Sequence, residues 1–141
     1  MTKTRIGVMQ PYFFPYLGHF ALIANVDHWY VFDITQYTPK TWMNRNRVLH
    51  PVSGVQYVTV ALSNSSIGIQ TCEARILDRE ASRQSVLGKL SHYRRAAPYY
   101  SQVVRLVDDA FSSGGQDGLV DLNVSGLQVV CRYLGDRKSV V

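Results

Sequence analysis

A short stretch near the N-terminus, GVMQPYFFPYLGHFALI (residues 7–23), combines ligand-binding groups with residues that stiffen the backbone. Gln10 follows the first apolar run, and Pro11 and Pro15 remove backbone donors and restrict the chain between them. Tyr12 and the neighbouring aromatic rings could line a pocket for a ring-shaped ligand, or they could simply pack into the core. Because shaped loops beside strand ends often carry function, we expect substrate-binding residues here.

Gly18 and His19 open the helix that is expected after this loop, and both are candidate substrate-binding residues. Free backbone N–H groups at a helix N-terminus favour a phosphate or a carboxylate. The stretch FPYLGHFALI resembles the HxGHxxLI signature of nucleotidyltransferases, but Tyr16 stands in place of the first histidine. The paired histidines of that signature stabilise charge on the nucleotide phosphates. A relative of the nucleotidyltransferases is therefore one alternative function.

A carboxylate, Asp33, ends the run HWYVFDI (residues 28–34), which is aromatic and β-branched and predicts a strand. If this strand runs parallel to the first, Asp33 lies at the same sheet edge as Gln10, where open α/β sheets bind ligands. Asp33 could act as a general base or hold a hydroxyl or an amine, or it could only cap the strand end. Gln36 and Tyr37 follow closely and are further candidate substrate contacts.

Two later segments also carry groups suited to chemistry. In WMNRNR (residues 42–47), Trp42 stands beside amide and guanidinium groups at Asn44, Arg45 and Asn46. Arginine can hold a carboxylate or phosphate through two hydrogen bonds, and tryptophan can stack on a sugar or a base. A solvated polar loop is the alternative. In HYRRAAPYY, His92 could be an acid or base near neutral pH, or a structural residue on a helix.

The elements that must position these residues predict an α/β fold: an N-terminal βαβ unit with further strands, followed by a helical C-terminal part. The patterns predict strands at residues 5–10, 28–34, 54–62 and 69–77, a helix at 18–26, and three helices at 78–96, 100–111 and 117–134. Residues 35–48 are expected to form a loop or a broken helix. Asp117 is expected to be the N-cap of the last helix.

Composition narrows the classes of partner. The chain of 141 residues suits one domain and has a formal net charge of +5, which permits an anionic partner. The basic residues are scattered and form no run typical of a nucleic-acid-binding arm, so an anionic small molecule is expected instead. No apolar run reaches the roughly 20 residues of a transmembrane helix. No signal-peptide pattern opens the chain, so a cytoplasmic protein is expected.

Several kinds of catalytic site are not indicated. Neither the histidines nor Cys72 and Cys131 have metal-ligand spacing, so no metal site is expected. No GxSxG, P-loop or GxGxxG motif occurs, and the sequence names no cofactor. The oligomeric state is also left open.

The motifs MQPYFFPYLGHFALI, VDHWYVFDITQY, WMNRNRV, HYRRAAPYY and LVDLN together resemble the WbqC-like protein family from about residue 5 to residue 135. The resemblance implies a bacterial transferase-like enzyme that modifies an activated or amino sugar in surface-polysaccharide or O-antigen biosynthesis. A non-catalytic sugar- or nucleotide-binding partner of such an enzyme is a second alternative. The family more often has another acidic residue beside Asp33, where this chain has Ile34, so a role that needs adjacent carboxylates is not expected.

On this reading each candidate residue has a role. Gln10, Tyr12 and Gly18 would shape the pocket, Asp33 would be the base or the substrate anchor, and Asn44 to Asn46 would hold an anionic group. His92 would be a weaker candidate for the acid or base.

The C-terminus suggests an incomplete domain. Members of the family generally continue beyond the LG dipeptide that ends the last predicted helix. The final residues, DRKSVV, correspond to one reading frame of a common sequencing adapter. We therefore expect residues 1–135 to be a single, C-terminally incomplete domain and residues 136–141 to be a non-native tail.

Overall fold

The computed structural model describes residues 2–113 and 117–136, and it has the expected α/β architecture with N-terminal strands and a helical C-terminal part. Most of the non-native tail expected at residues 136–141 lies outside the described residues. The four strands are β1 (Ile6–Met9), β2 (His28–Val31), β3 (Arg45–Leu49) and β4 (Val55–Thr59). The four α-helices are α1 (Leu17–Ala24), α2 (Arg79–Leu90), α3 (Tyr100–Ser112) and α4 (Leu119–Tyr133). Two 3₁₀-helical turns lie at Thr71–Glu73 and Ser91–Arg95.

The predicted βαβ unit is present. Strands β1 and β2 pair in parallel, with Ile6 opposite His28 at one end and Met9 opposite Val31 at the other. Gly7 allows the Trp29 ring to pack against β1, because a Cβ at this position would lie 2.8 Å from Trp29 Cε3. As the two strands are parallel, both end at the same edge of the sheet, which is the geometry that brings the candidate residues together.

One face of this small sheet packs on helices, and the other is exposed. Trp29 is buried with Ile23 of α1 and Leu127 of α4 in one hydrophobic cluster. On the opposite face, Ile6 and Val8 are more than half exposed. A larger cluster fills the space between the remaining strands and helices and includes Phe13, Tyr37, Val60, Phe111, Leu119 and Leu122.

The prediction for residues 35–48 was wrong at its C-terminal end. Residues 45–49 form β3, which pairs antiparallel with β4 over the register from Arg45 opposite Thr59 to Leu49 opposite Val55. The polar composition hid this strand, because Arg47 points to solvent and the Asn46 amide is used by backbone carbonyls rather than by water. The strand expected at 54–62 is confirmed in its central part.

The strand expected at 69–77 was also wrong. A 3₁₀ turn occupies its centre, and only isolated bridges join the segment to the rest of the chain. A capping box explains the turn, because the Gln70 backbone N–H donates to Glu73 Oε2 at 2.6 Å and competes with strand pairing.

All three C-terminal helices are confirmed, although the first ends at Leu90 and continues as a 3₁₀ turn. Its N-cap is Asp78, whose side chain accepts a hydrogen bond from Ala81 N at 2.9 Å. The sequence predicted Asp117 as the N-cap of α4, and this prediction was wrong. Gly118 occupies that position because the Asp117 carbonyl pairs with Ile76 N at 2.7 Å instead. Among the described residues, no helix is long and apolar enough to cross a membrane.

Candidate functional site

A chain of hydrogen bonds joins the two parallel strands where they end. Gln10, directly after β1, donates from Nε2 to Thr35 Oγ1 at 2.7 Å, and Thr35 Oγ1 lies 3.3 Å from Thr71 Oγ1. On the other side, the Tyr12 hydroxyl donates to Gln10 Oε1 at 3.3 Å. The loop after β1, the segment after β2 and the 3₁₀ turn at Thr71 are therefore held together at the sheet edge.

The direction of this chain can be assigned from the donors available. Thr71 Oγ1 donates to the Thr35 carbonyl at 3.0 Å, so its single proton is already used. Thr35 Oγ1 accepts a hydrogen bond from Gln10 and still has its own proton, so in the contact between the two hydroxyls Thr35 is the donor and Thr71 the acceptor. What remains for a ligand is one N–H of Gln10 and acceptor capacity on Gln10 Oε1 and the Tyr12 oxygen.

Asp33 lies on the same segment as Thr35. Along residues 33–37, Asp33, Thr35 and Tyr37 are the more buried positions and alternate with exposed ones. The Asp33 carbonyl is fixed by Cys72 N at 2.9 Å, whereas its carboxylate makes no ion pair with the described residues. Cα atoms two residues apart are at most about 7 Å from each other, so the backbone of Asp33 lies beside the hydrogen-bonded edge.

His19 is buried, with 1% of its surface exposed. Its ring lies 5.3 Å from the Trp29 ring and 5.6 Å from the Tyr12 ring, measured between centroids. Neither ring nitrogen has a hydrogen-bond partner among the described residues. Burial lowers the pKa of His19, so the imidazole is neutral at pH 7. It therefore supports Tyr12 from behind and does not present a positive charge to a phosphate.

Gly18 leaves room for the exposed ring of Tyr16. The Tyr16 ring lies against Gly18, and a Cβ at this position would collide with the ring carbons. Tyr16 itself is 73% exposed. The start of α1 is therefore covered on this side by an aromatic ring.

The proline-rich loop is held in an unusual conformation by Asn46 of β3. Phe14 has a φ of 41°, in the left-handed region that residues other than glycine rarely adopt. Asn46 Nδ2 donates to the Phe14 carbonyl at 2.6 Å and to the Phe13 carbonyl at 3.2 Å. In addition, Phe13 N donates to the Trp42 carbonyl at 2.9 Å. Asn46 was expected to hold an anion, but its amide donors serve the loop backbone.

Comparison with known proteins agrees with these motifs. The model of the WbqC-like protein family matches residues 10–141. The chain belongs to the WbqC-like protein family. It is also 27% identical over 131 residues to the "Uncharacterized protein Rv1507c" of Mycobacterium tuberculosis (strain ATCC 25618 / H37Rv). That match covers 93% of this chain and 56% of the relative, so the chain spans little more than half of the relative's length. No solved structure matches the chain.

Asn123 of α4 is a site-supporting residue that the sequence reasoning missed. It lies within LVDLN, one of the motifs that resemble the WbqC-like family. Its side chain is 1% exposed, and Nδ2 donates to the carbonyls of Pro11 and Met43, both at 2.7 Å. One amide thus ties the proline-rich loop to the segment before β3. An asparagine among apolar positions of a predicted helix was the available signal, because a buried amide needs partners.

Asn44 and Arg45 of this WbqC-like chain have different surroundings. Asn44 is buried and donates from Nδ2 to the Val60 carbonyl at 2.9 Å, which is a structural role. Arg45 places its guanidinium 4.4 Å from the centre of the Tyr57 ring. Burial raises the pKa of Tyr37, and the Ser65 side chain and the positive charge of Arg45 oppose that increase. Arg45 therefore acts electrostatically on Tyr37, which is two residues from Thr35 in the sequence.

The hydrogen-bonded residues at the strand ends, which we call the strand-edge site, are Gln10, Tyr12, Thr35 and Thr71. Three other residues predicted to bind substrate or act in catalysis lie outside it. Gln36 is exposed and donates from Nε2 to the Ile67 carbonyl at 2.7 Å, which holds the 63–70 loop. Trp42 lies under the guanidinium of Arg47, 5.3 Å from ring centre to Cζ. His92 packs on Tyr93, whose hydroxyl accepts from Leu49 N at 2.7 Å at the far end of β3. No contact of the described residues joins His92 to Asp33 or Gln10.

Two adjoining cavities lie between the proline-rich loop, β3 and the helices α2 and α3. Their volumes are about 410 and 260 Å³, and Val48, Leu90 and Val103 line both. The remaining lining is mostly apolar, including Phe14 and Tyr93. Within residues 2–113 and 117–136, no three His, Cys, Asp or Glu side chains come together as metal ligands.

Proposed function

We propose that this chain provides the substrate-binding and reaction site of a bacterial transferase that modifies an activated sugar in surface-polysaccharide biosynthesis. One observation carries the proposal. Gln10 and Thr35 meet through a 2.7 Å hydrogen bond where two parallel strands end, and Asp33 lies two residues before Thr35 on the same segment. Ligands of open α/β sheets bind at such strand ends.

The groups at this edge suit a sugar. Sugar hydroxyls need donors and acceptors side by side, and Gln10 and Tyr12 retain both kinds of capacity after their mutual hydrogen bond. The relay through Thr35 holds them in place before a ligand arrives, which lowers the entropic cost of binding.

Asp33 is the residue that can take part in the chemistry. A carboxylate without an ion pair can accept a proton from a sugar hydroxyl or hold a sugar amine in position. His92 lies at the far end of β3, on Tyr93, so the acid–base role goes to Asp33 alone.

The surroundings of His19 give no support to the nucleotidyltransferase alternative. That route needs positive charge on the phosphates, and His19 is buried with its pKa lowered. A non-catalytic sugar-binding partner would use the same edge. The two functions differ in what happens when the carboxylate is neutralised.

The test begins with a thermal-shift screen against sugar nucleotides, nucleoside triphosphates with magnesium, and acyl donors. A ligand that binds the folded state raises Tm with the logarithm of its excess. We expect a sugar nucleotide to give the shift, and Asp33→Asn to keep most of that shift while abolishing turnover. Asp109→Asn, an exposed carboxylate on α3, is the matched control and should retain turnover.

Full turnover in Asp33→Asn would refute the catalytic role. A shift with magnesium triphosphate alone would favour nucleotidyl transfer instead. Binding of a sugar nucleotide without turnover, in wild type and variant alike, would favour the non-catalytic partner.

A further inference from the structure

The outer face of the β3–β4 hairpin carries two arginines held by aromatic rings. Arg45 and Arg47 are alternate residues of β3 and so project on one face, and Tyr57 of β4 stands opposite Arg47 in the register. The Arg45 guanidinium lies 4.4 Å from the centre of the Tyr57 ring, and that of Arg47 lies 5.3 Å from the Trp42 ring. Each arginine is therefore fixed by a cation–π contact and not by a carboxylate.

The segment that carries this face has basic residues and no acidic ones. Between Asp33 and Glu73 the sequence contains Lys40, Arg45 and Arg47 and no acidic residue. Neither arginine forms an ion pair with the described residues, and Arg45 Nε is buried without a hydrogen-bond partner there.

Two of the described arginines outside the hairpin form ion pairs. Arg83 contacts both Glu80 and Asp108, and Arg5 contacts Asp27. What distinguishes the hairpin arginines is their contact with aromatic rings. A guanidinium that stacks on a ring still has its in-plane N–H groups free to bind an anion.

We propose that this face binds the nucleoside diphosphate part of the activated sugar, an inference that rests on the proposed function. Arg45 and Arg47 each offer a planar fork for phosphate oxygens, and two adjacent forks fit a diphosphate better than a single carboxylate. Trp42 and Tyr57 are 40% and 42% exposed and can stack on a base or a sugar ring.

The position of the face agrees with the strand-edge site. Phe13 of the proline-rich loop donates from its backbone N–H to the Trp42 carbonyl at 2.9 Å, and that loop also carries Tyr12 directly after Gln10. On this proposal, the sugar attached to the diphosphate extends from the hairpin face toward Gln10, Thr35 and Asp33. This assigns a substrate-binding role to Arg47 and Tyr57.

The experiment measures binding of uridine diphosphate and of inorganic pyrophosphate by titration calorimetry at low salt. We expect both probes to bind, with affinity that falls as salt increases, and Arg47→Gln to weaken both by about tenfold or more. Arg47→Lys, which keeps the charge but loses the planar fork, should lie between Arg47→Gln and the wild type. Arg105→Gln on α3 removes the same charge from an exposed position and should stay within about twofold of the wild type.

Three results would overturn the inference. The first is that neither probe binds the wild type, and the second is that Arg105→Gln weakens binding as much as Arg47→Gln. The third is that a single-stranded oligonucleotide binds more tightly than uridine diphosphate through the same arginines. Since Arg47 is exposed, all variants should fold, and their melting curves check this.

Failure of this inference is distinguishable from failure of the proposed function. If Asp33→Asn loses turnover while Arg47→Gln binds uridine diphosphate like the wild type, the hairpin assignment is wrong and the strand-edge site stands. If Arg47→Gln loses binding while Asp33→Asn keeps full turnover, the hairpin assignment stands and the reaction site is wrong.

Discussion

Gln10 and Thr35 are 25 residues apart in sequence, yet a 2.7 Å hydrogen bond joins them at the common end of two parallel strands. The bond makes the edge a single polar unit, because the Thr35 hydroxyl in turn donates a hydrogen bond to Thr71. Any ligand that binds here meets an amide and a phenol whose orientations are already fixed.

Removing the hydroxyl of this unit should destabilise the fold. Thr35→Val preserves shape but leaves Gln10 Nε2 without its acceptor and removes the hydroxyl contact with Thr71, so the free energy of unfolding should fall by about 1–2 kcal/mol in a urea titration. Thr38→Val, at an exposed threonine three residues later, should change it by less than about 0.5 kcal/mol. Equal losses in the two variants would show that the relay contributes nothing.

Asn123 should matter more for stability than its place on a C-terminal helix suggests. Asn123→Leu keeps the volume but leaves the Pro11 and Met43 carbonyls buried without their donor, and we expect a loss of about 2–4 kcal/mol. The measurement is the urea midpoint. Gln128→Leu, a half-buried position on the same helix, should cost less than about 1 kcal/mol.

The loop conformation should depend on Asn46. Asn46→Ala removes both bonds that hold Phe14 at positive φ, so the strain of roughly 1–2 kcal/mol is free to relax and the loop should loosen. We expect faster amide exchange at residues 12–16 and weaker ligand binding. Asn64→Ala also removes side-chain bonds to backbone, in a different loop, and should leave exchange at 12–16 unchanged.

Stability should fall at mildly acidic pH because of His19. Its folded-state pKa lies below 6.5, so the unfolded chain takes up the proton first. The contribution of the neutral imidazole is therefore complete above about pH 6.5 and decreases as the pH falls below that value. His19→Phe should make Tm depend less steeply on pH between about pH 7.5 and about pH 5.5. An unchanged slope would contradict the burial of His19, and His28→Phe, at an exposed histidine, is the control.

Glu80 should also make the protein less stable as the pH falls, but at lower pH than His19. Hydrogen bonds from Arg83 and Gln84 lower the pKa of Glu80 from 4.5 to about 2. Its contribution is present above pH 4.5 and is lost as the pH falls through about 2. Glu80→Gln should thus lower Tm at pH 7 and match the wild type near pH 2. If the Tm of Glu80→Gln is still lower than that of the wild type near pH 2, the Glu80–Arg83 ion pair does not cause the difference.

The sequence predicted the scaffold of the site but not all of its detail. The parallel βαβ unit followed from apolar runs around a helical pattern, and it correctly placed Gln10 and Asp33 at one edge. Strand β3 could not be predicted from NRNR, because its pairing with β4 and the contacts of Asn46 are tertiary. The apolar alternation at 69–77 was misleading because the local Gln70–Glu73 capping box prevailed over strand pairing.

The roles of the polar residues were the least predictable part. Asn44 and Asn46 look like ligand-binding amides in the sequence, but the structure uses both to satisfy backbone carbonyls. Thr71 lies outside the quoted motifs, and LVDLN does not show what Asn123 contacts; only the fold brings these residues to Thr35 and Pro11. Short-range patterns do not report contacts between residues that are far apart in the chain.

The central claim, that substrate binds at the Gln10–Thr35 edge, is tested most directly by NMR. Amide shifts of the ¹⁵N-labelled protein would be followed during titration with a sugar nucleotide, starting with UDP-N-acetylglucosamine. We expect the largest changes at residues 10–19 and 33–37, with a second set along β3. Changes confined to the apolar cavities beside Tyr93 and Val103, or no changes with any sugar nucleotide, would contradict the account.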